Sequence, residues 1–180
     1  MRPRQKAAPG ATLVGNVRLG KDVSFWYGSI ARGDIAPITV GDRSNIQDGT
    51  VMHVGDQSPC EVGADVVVGH RVMLHGCRVE DACLIGTQAT LLDDCVVGEG
   101  SIVGAGALVT QRMKIPPQSL VLGAPAKVIR SLPPGTADAT GQGAGLLAEP
   151  VRYQPETMIV AVIDGWSEQW YGNSPACVNV

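Results

Sequence analysis

Aromatic side chains, long apolar runs and clusters of basic residues are all scarce in this chain. Phenylalanine, tyrosine and tryptophan make up 4% of the 180 residues, which favours a narrow interior with little room for large rings. No run approaches the roughly 18 apolar positions of a membrane-spanning helix, so we expect no membrane partner. The net charge is −3, and basic residues cluster only at the start, in MRPRQK. This balance argues against nucleic acid as the main partner.

Cysteine is also limited in number and lacks the spacing of a disulfide framework. The cysteines are Cys60, Cys77, Cys83, Cys95 and Cys177. An odd set without framework spacing predicts reduced thiols. The residues after MRPRQK show no apolar segment of a secretory signal, and we therefore predict a cytoplasmic protein.

What the chain does contain is a six-residue repeat of aliphatic residues, several of them followed directly by glycine. The markers are Val62, Val68, Leu74, Ile85, Leu91, Val97, Val103 and Val109. A period of six fits neither a helix nor a series of hairpins. It predicts an all-β solenoid, in which three short strands form one triangular coil and successive coils stack about 4.8 Å apart through parallel strand pairing.

The repeat divides the chain into two predicted regions. Residues 1–132 form the solenoid domain, because weaker repeats precede the main run and a closing segment follows it up to Leu132. Residues 133–180 form a C-terminal extension, rich at its start in Pro, Gly, Ala and Thr. The sequence predicts an irregular structure for this extension.

One irregular step in the repeat fixes the order of the faces. From Met52 to Val62 the step is ten residues instead of six, so residues 55–59 are expected to bulge out as a loop at one corner. If this loop replaces an ordinary corner, Leu74 returns to the face of Met52 in the next coil.

The three histidines of the chain take their predicted positions from this count. His53 and His75 each follow an inward residue of the same face, so their rings should stack on the outside of successive coils. Two stacked imidazoles can supply two ligands of a zinc-like ion. His70 falls on another face and could complete the site only from a neighbouring chain, which predicts a trimer with a threefold axis. Plain surface polarity is the competing interpretation.

The same residues resemble the γ-class carbonic anhydrases, which are trimers of left-handed parallel β-helices. The similarity covers about residues 10–132, and the motifs that carry it are Arg32-Gly33-Asp34, Asn45-Ile46-Gln47-Asp48, His53, Gly69-His70 and Leu74-His75-Gly76-Cys77. The resemblance implies zinc, with iron or cobalt as alternatives, held by His53 and His75 of one chain and His70 of the next. It also implies reversible hydration of carbon dioxide to bicarbonate by a metal-bound hydroxide.

The resemblance further implies roles for four residues near the metal. Arg32 and Asp34 would form a salt bridge across the trimer interface, whereas Asn45 and Gln47 would hold metal-bound water and bicarbonate. From the residues alone, the Arg32 and Asp34 pair is equally a surface ion pair of small energy, and Asn45 is equally a corner cap.

The chain departs from the most active members of that family at their proton-relay residues. Ile35 stands where those members carry an acidic residue directly after the Arg-Gly-Asp motif. The corner loop, which is acidic in those members, has Asp56 as its single acidic residue. We therefore expect slow proton transfer and low hydration activity.

Three other interpretations stay open at this stage. The first is acyl transfer, because hexapeptide-repeat acyltransferases bind coenzyme A thioesters between prisms and residues 123–127 are similar to their closing segment. Such enzymes need one histidine as a general base and no metal. Hydrolysis of a thioester at the metal site is a variant of this interpretation. A trimeric scaffold subunit, in which the metal only joins chains, is the second. A site made by Cys60 or Cys77 with His70 and His75 is the third.

Overall fold

The computed structural model describes residues 6–133 and residue 136, and strands of these residues wind into a solenoid. Most strands are two or three residues long, and each pairs in parallel with the strand one coil before and one coil after it. The described chain makes about six turns of a left-handed parallel β-helix. The predicted fold class is confirmed, and the predicted extension at 133–180 lies almost wholly outside the described residues.

The strands form three faces of a triangular prism, one of which is a continuous sheet along its length. This first face contains β1 (Lys6–Ala7), β3 (Ser24–Phe25), β5 (Asn45–Ile46), β8 (Val67–Val68), β11 (Leu84–Ile85), β14 (Ile102–Val103) and β17 (Ser119–Leu122). An antiparallel strand, β18 (Lys127–Ser131), pairs with β17 at the end of the prism. It forms the closing segment that the sequence predicts.

The other two faces share their first strands. Two long strands, β2 (Thr12–Leu19) and β4 (Ile30–Val40), run through both faces. The second face continues with β6 (Val51–His53), β9 (Met73–His75), β12 (Thr90–Leu91) and β15 (Leu108–Val109). The third face continues with β7 (Cys60–Val62), β10 (Arg78–Val79), β13 (Val96–Val97) and β16 (Lys114–Ile115).

A bulge between the two halves of β4 shapes the outside of the prism near the histidines. The register between β2 and β4 shifts after Gly15, which pairs with Gly33. A Cβ on Gly15 would lie 2.3 Å from the Gly33 carbonyl oxygen, and Gly15 has φ +81°. Only glycine permits this close approach in that conformation. The extra residues of β4 carry Asp34 outward, next to the second face.

The core is a column of aliphatic side chains, one from each strand. Every marker residue named above is buried, and the predicted return of Leu74 to the face of Met52 is confirmed by their pairing across β6 and β9. One inward residue, Val79, was missing from the predicted set because it follows Leu74 by five positions. Phe25 is 2% exposed, so the first coils accommodate a ring that the narrow prism was expected to exclude.

The corners turn through residues with left-handed backbone angles. Among the described residues other than glycine these are Asp22, Arg43, Asp65, Arg71, Ala82, Gln88, Asp94, Arg112 and Gln118, all with φ between 54° and 61°. The ten-residue step forms the expected loop between His53 and Cys60. Within the described part of the chain, no helix has the length and apolar character needed to cross a membrane.

Candidate metal centre

His53 and His75 stack on the outside of the second face, as the repeat predicts. Strand pairing places them opposite each other in successive coils. Their ring centroids are 5.1 Å apart, and the ring planes are tilted by 54°. Nδ1 of His53 lies 3.1 Å from Nε2 of His75, and the side chains are 17% and 33% exposed. Both rings are thus held at the surface, with one nitrogen of each directed at the other.

A carboxylate contacts the far nitrogen of each stacked ring. His53 Nε2 lies 3.0 Å from Asp34 Oδ1, and His75 Nδ1 lies 2.6 Å from Asp93 Oδ1. Because a carboxylate only accepts hydrogen bonds, each of these nitrogens carries the proton and donates it. In neutral rings, which are the form that binds a metal, the two nitrogens that face each other are then lone-pair acceptors.

Two facing lone pairs fit a cation. At 3.1 Å they repel each other unless a positive charge satisfies both. Two imidazole nitrogens on one tetrahedral zinc ion, each at 2.0 to 2.1 Å, are about 3.3 Å apart, close to the distance found here. Ligating histidines also commonly donate their second N–H to a carboxylate. The donor set of His53 and His75 therefore fits two ligands of a zinc-like ion.

Asp34 also binds Arg32, so these two predicted site residues are brought together beside His53. The Arg32 guanidinium donates from Nη1 to Asp34 Oδ2 within the same chain. Burial acts to raise the pKa of Asp34, but its hydrogen bonds with His53 and Arg32 outweigh that effect and hold the pKa below its usual value. Asp34 is thereby kept ionised as the acceptor for His53. The salt bridge between chains stays a prediction.

The remaining predicted residues lie at a different corner, where the first face turns into the second. His70 follows β8, is 55% exposed, and has Nδ1 3.1 Å from Asp48 Oδ2. Asn45 and Gln47 belong to β5 and the turn after it, one coil before His70. This corner thus repeats the combination of an imidazole and its own carboxylate, without a second imidazole.

Asn45 is partly satisfied and Gln47 is available. Asn45 is 4% exposed, and its Nδ2 donates to Ser24 Oγ at 2.7 Å. Its Oδ1 is buried and has no hydrogen-bond partner, which is uncommon for a buried polar atom. The Gln47 amide has no partner among the described side chains. Asn45 is therefore bonded to the residue opposite it in the preceding coil, which is a contact between strands and not a corner cap, and one acceptor is left over.

The predicted site residues thus form two groups in one chain. His53, His75, Arg32 and Asp34 lie where the second face ends, and His70, Asn45 and Gln47 lie where it begins. No group of three or more His, Cys, Asp or Glu side chains within residues 6–133 is arranged to hold a metal ion.

Asp93 was not predicted as a site residue, and Asp48 was not predicted as the partner of His70. Asp93 follows His75 by 18 positions and Asp48 precedes His70 by 22, which in each case is one coil. A search for carboxylates one coil from each histidine would have found both.

The four cysteines of the described residues take no part in either group. Cys60, Cys77, Cys83 and Cys95 are buried and form no disulfide with one another, and Cys177 lies outside the described residues. Burial raises the pKa of Cys83 to about 12. The alternative site of Cys60 or Cys77 with histidines is therefore not formed, because these thiols face the core.

Comparison with known proteins gives a consistent family. Residues 76–111 match the family model "Bacterial transferase hexapeptide (six repeats)". The chain is 45% identical over 131 residues to "Gamma carbonic anhydrase 2, mitochondrial" of Arabidopsis thaliana, covering 69% of this chain and 47% of that protein. It is 47% identical over 127 residues to "Probable carbonic anhydrase" of Methanocaldococcus jannaschii, covering 71% and 80%. The chain therefore spans about half the length of the Arabidopsis relatives that it matches.

Solved structures with the same architecture include transferases. A hexapeptide transferase family protein from Anaplasma phagocytophilum is 32% identical, with a TM-score of 0.68 over 79% of this chain and 87% of that chain. A perosamine N-acetyltransferase variant from Caulobacter crescentus, in complex with CoA and GDP-perosamine, is 28% identical, with a TM-score of 0.58 over 68% and 55%.

Proposed function

This chain belongs to the γ-class carbonic anhydrase family, and from that premise we propose that it catalyses the reversible hydration of carbon dioxide to bicarbonate. The proposed enzyme is a homotrimer with one zinc site at each interface, for which iron or cobalt are alternatives. His53 and His75 of one chain and His70 of the next would hold the metal. The substrate pair is carbon dioxide and bicarbonate.

One observation carries this proposal: the histidines lie in two groups, each completed by carboxylates but neither sufficient for a metal. His53 and His75 present two lone pairs at one corner, and Asp48 holds His70 Nδ1, so that its Nε2 is left free at another. A threefold arrangement of chains can bring the end of one second face against the beginning of another, three times over. Bound zinc would supply Lewis acidity, which lowers the pKa of water toward 7.

The other residues of this chain position the reactants. Arg32 keeps Asp34 ionised, and Asp34 holds His53 by its Nε2–H. We assign water and bicarbonate to Asn45 and Gln47. The Gln47 amide can both donate and accept, and Asn45 Oδ1, which is buried in the single chain, is an acceptor without a partner. These two residues come with His70, so the groups that orient the reactants arrive from the second chain.

Proton transfer out of the site has few routes. Ile35, directly after Asp34, is 40% exposed and cannot carry a proton. Asp56 in the corner loop is the acidic residue left to assist transfer to buffer. We therefore propose a turnover limited by buffer concentration.

A subunit-mixing experiment tests the shared site. H70A and H75A variants, purified separately and then mixed after reversible dissociation, are assayed for zinc content and carbon dioxide hydration. Each variant alone should be inactive. In any mixed trimer one interface combines His53 and His75 of one chain with His70 of the other, so an equal mixture should regain about a quarter of the wild-type activity.

The matched control is a mixture of H53A and H75A. Those two variants lose residues of the same group, so no interface between them is complete. Recovery in the control, or none in the H70A and H75A mixture despite mixed trimers, contradicts the shared site.

Acyl transfer is the second candidate, favoured by the similarity to a structure that holds CoA. It needs one histidine as general base and no metal. Three histidines, each with its own carboxylate, are more than it requires. Binding of coenzyme A to the zinc-free trimer, with transfer of its acyl group, would favour this candidate over hydration.

A Gln47 variant distinguishes the scaffold from the enzyme, because the Gln47 amide makes no hydrogen bond with His53, His70 or His75 in the described chain. The Q47A variant should keep the trimer and its zinc but lose hydration activity if the protein is an enzyme. An unchanged, low activity in Q47A would favour the scaffold.

A further inference from the structure

We infer that Asp93 is a positioning residue, which holds His75 by its Nδ1–H and thereby directs the Nε2 lone pair of that ring toward the metal. The inference rests on the proposed function, because it assumes that His75 is a ligand. It assigns a role to a residue that carries none in the sequence motifs.

The contact between Asp93 and His75 is the shortest of the three between a histidine and a carboxylate. Asp93 Oδ1 lies 2.6 Å from His75 Nδ1, compared with 3.0 Å at His53 and 3.1 Å at His70. The second oxygen of Asp93 accepts a hydrogen bond from Gln111 Nε2 at 3.3 Å. The carboxylate is thus held from the next coil while it holds the ring, so both its place and its acceptor role are fixed.

Gly76 leaves the space through which this carboxylate reaches the ring. A Cβ on Gly76 would lie 2.2 Å from Asp93 Oδ1 and 2.9 Å from the Ser58 Cβ, and its φ is +54°. A Cβ on Gly55 in the corner loop would lie 3.1 Å from the same oxygen. Glycine directly after His75 therefore has a role beyond the turn, because any side chain there would displace Asp93.

The tautomer of His75 follows from this contact. With the proton on Nδ1, Nε2 is the lone pair that faces His53. Without Asp93, the ring can carry its proton on Nε2 and present the wrong nitrogen, or rotate away. Partners of this kind typically change metal affinity 10- to 100-fold.

The chain offers a matched control in the neighbouring residue. The Asp94 carboxylate accepts a hydrogen bond from Ser58 Oγ at 2.7 Å instead of contacting His75. Asp94→Asn removes the same charge from the same turn without touching the ring. Asp93→Asn keeps the size and an acceptor oxygen, whereas Asp93→Ala removes the contact.

The experiment measures the ring and the metal separately in the full chain. Long-range ¹H–¹⁵N spectra of the metal-free protein report which His75 nitrogen is protonated, and Co²⁺ titration against a competing chelator gives the affinity. We expect Nδ1–H at His75 in the wild type and in D94N. In D93A we expect a mixed or Nε2–H pattern and Co²⁺ affinity weaker by about 10- to 100-fold, with D93N between the two.

The outcomes separate this inference from the proposed activity. Co²⁺ binding that depends on Asp93, in a protein without hydration activity, supports the inference and counts against the proposed function. Wild-type affinity and tautomer in D93A overturn the inference even if hydration is found, and so does a wild type that binds no Co²⁺. If D93A does not fold, D93N decides: a tautomer and an affinity equal to those of D94N overturn the inference, and a weaker affinity supports it.

Discussion

The stacked histidines and the stacked cysteines of this protein are built by the same rule and differ only in the side of the strand that they occupy. Cys77 stands opposite Cys60 and Cys95 in adjacent coils, just as His75 stands opposite His53. The cysteines face the core and are at most 1% exposed. The histidines face outward, where carboxylates from neighbouring coils reach them. Stacking brings like residues together, but only the outer column has carboxylates within hydrogen-bond distance of its side chains.

Cys77, the middle cysteine of the inner column, is held in its neutral thiol form. Hydrogen bonds with the thiols of Cys60 and Cys95, together with burial, raise the pKa of the Cys77 thiol well above its usual value. Thiolate is the form that attacks or binds metals, so Cys77 acts as a small apolar filler. A repeat can thus place reactive residues in a column without creating a metal-binding or catalytic site.

Removing one outer ring should have the largest effect. His75→Ala takes away one of two facing lone pairs, and we expect loss of bound zinc and at least about 100-fold lower hydration, because loss of a mere partner of a ligand already costs 10- to 100-fold. Zinc per chain and stopped-flow hydration are the measurements. If the variant keeps one zinc per site, the outer column of histidines is not the metal site.

Leu74, which precedes His75 on the same strand, should affect stability and not metal binding. Leu74 is fully buried, and Leu74→Ala leaves a cavity that costs about 2–5 kcal/mol of unfolding free energy. Urea denaturation measures this loss, while zinc per folded chain should stay unchanged. A loss below about 1 kcal/mol would show that the column collapses around the missing side chain.

The inner column should respond to polarity. Cys77→Ser puts a hydroxyl among buried thiols, and a buried polar group without a good partner costs about 1–3 kcal/mol. Cys77→Ala, as the control, should cost less. Both variants should retain zinc and hydration, and loss of zinc in either would connect the thiols to the metal centre.

The exposed ion pair of Arg43 and Asp65, away from the histidines, should have the smallest effect on stability. Arg43 donates two hydrogen bonds to Asp65 in the next coil, at 2.7 and 2.6 Å, but both side chains are about half exposed. Such exposed pairs contribute little to stability, because solvent screens them. Asp65→Asn should therefore lower the unfolding free energy, measured with urea at pH 7, by less than any of the other variants.

The pH dependence of this small effect has a definite sign. The hydrogen bond from Arg43 holds the pKa of Asp65 below its usual value. The contribution is therefore complete above about pH 4, the usual pKa of aspartate, and is lost as pH falls through the lowered pKa of the folded state. The difference between wild type and Asp65→Asn should shrink in that range, and one that grows with acid contradicts the assignment.

The fold was predictable because one side chain per strand must fill a narrow core. The six-residue markers gave the strands, and the ten-residue step gave the loop. Val79 escaped because the coil after the loop is shorter by one residue, so a fixed period passes over it. The bulge of β4 escaped as well, since it depends on how Gly15 approaches Gly33 rather than on any repeat.

Only those parts of the site that follow from the strand register were predictable. His53 and His75 follow from counting faces, and the structure stacks them. Their carboxylates lie one coil away, and that distance along the chain is 22 positions across the loop but 18 beyond it. Without the lengths of individual coils, Asp93 could not be connected with His75. Joining the two groups requires a second copy of the chain, and the repeat pattern does not specify how two copies are arranged.

The corners described above leave the prism room for improvement. Side chains such as Ala82 and Arg112 hold left-handed angles at roughly 1–2 kcal/mol each, a cost that glycine would not incur. Ala82 lies in a turn and donates its backbone N–H to the carbonyl oxygen of Ala64, and neither residue belongs to a histidine group. Ala82→Gly could therefore raise the free energy of unfolding and leave the chemistry of the metal centre as it is, whereas Arg112 donates to the Asp93 carbonyl oxygen beside that centre.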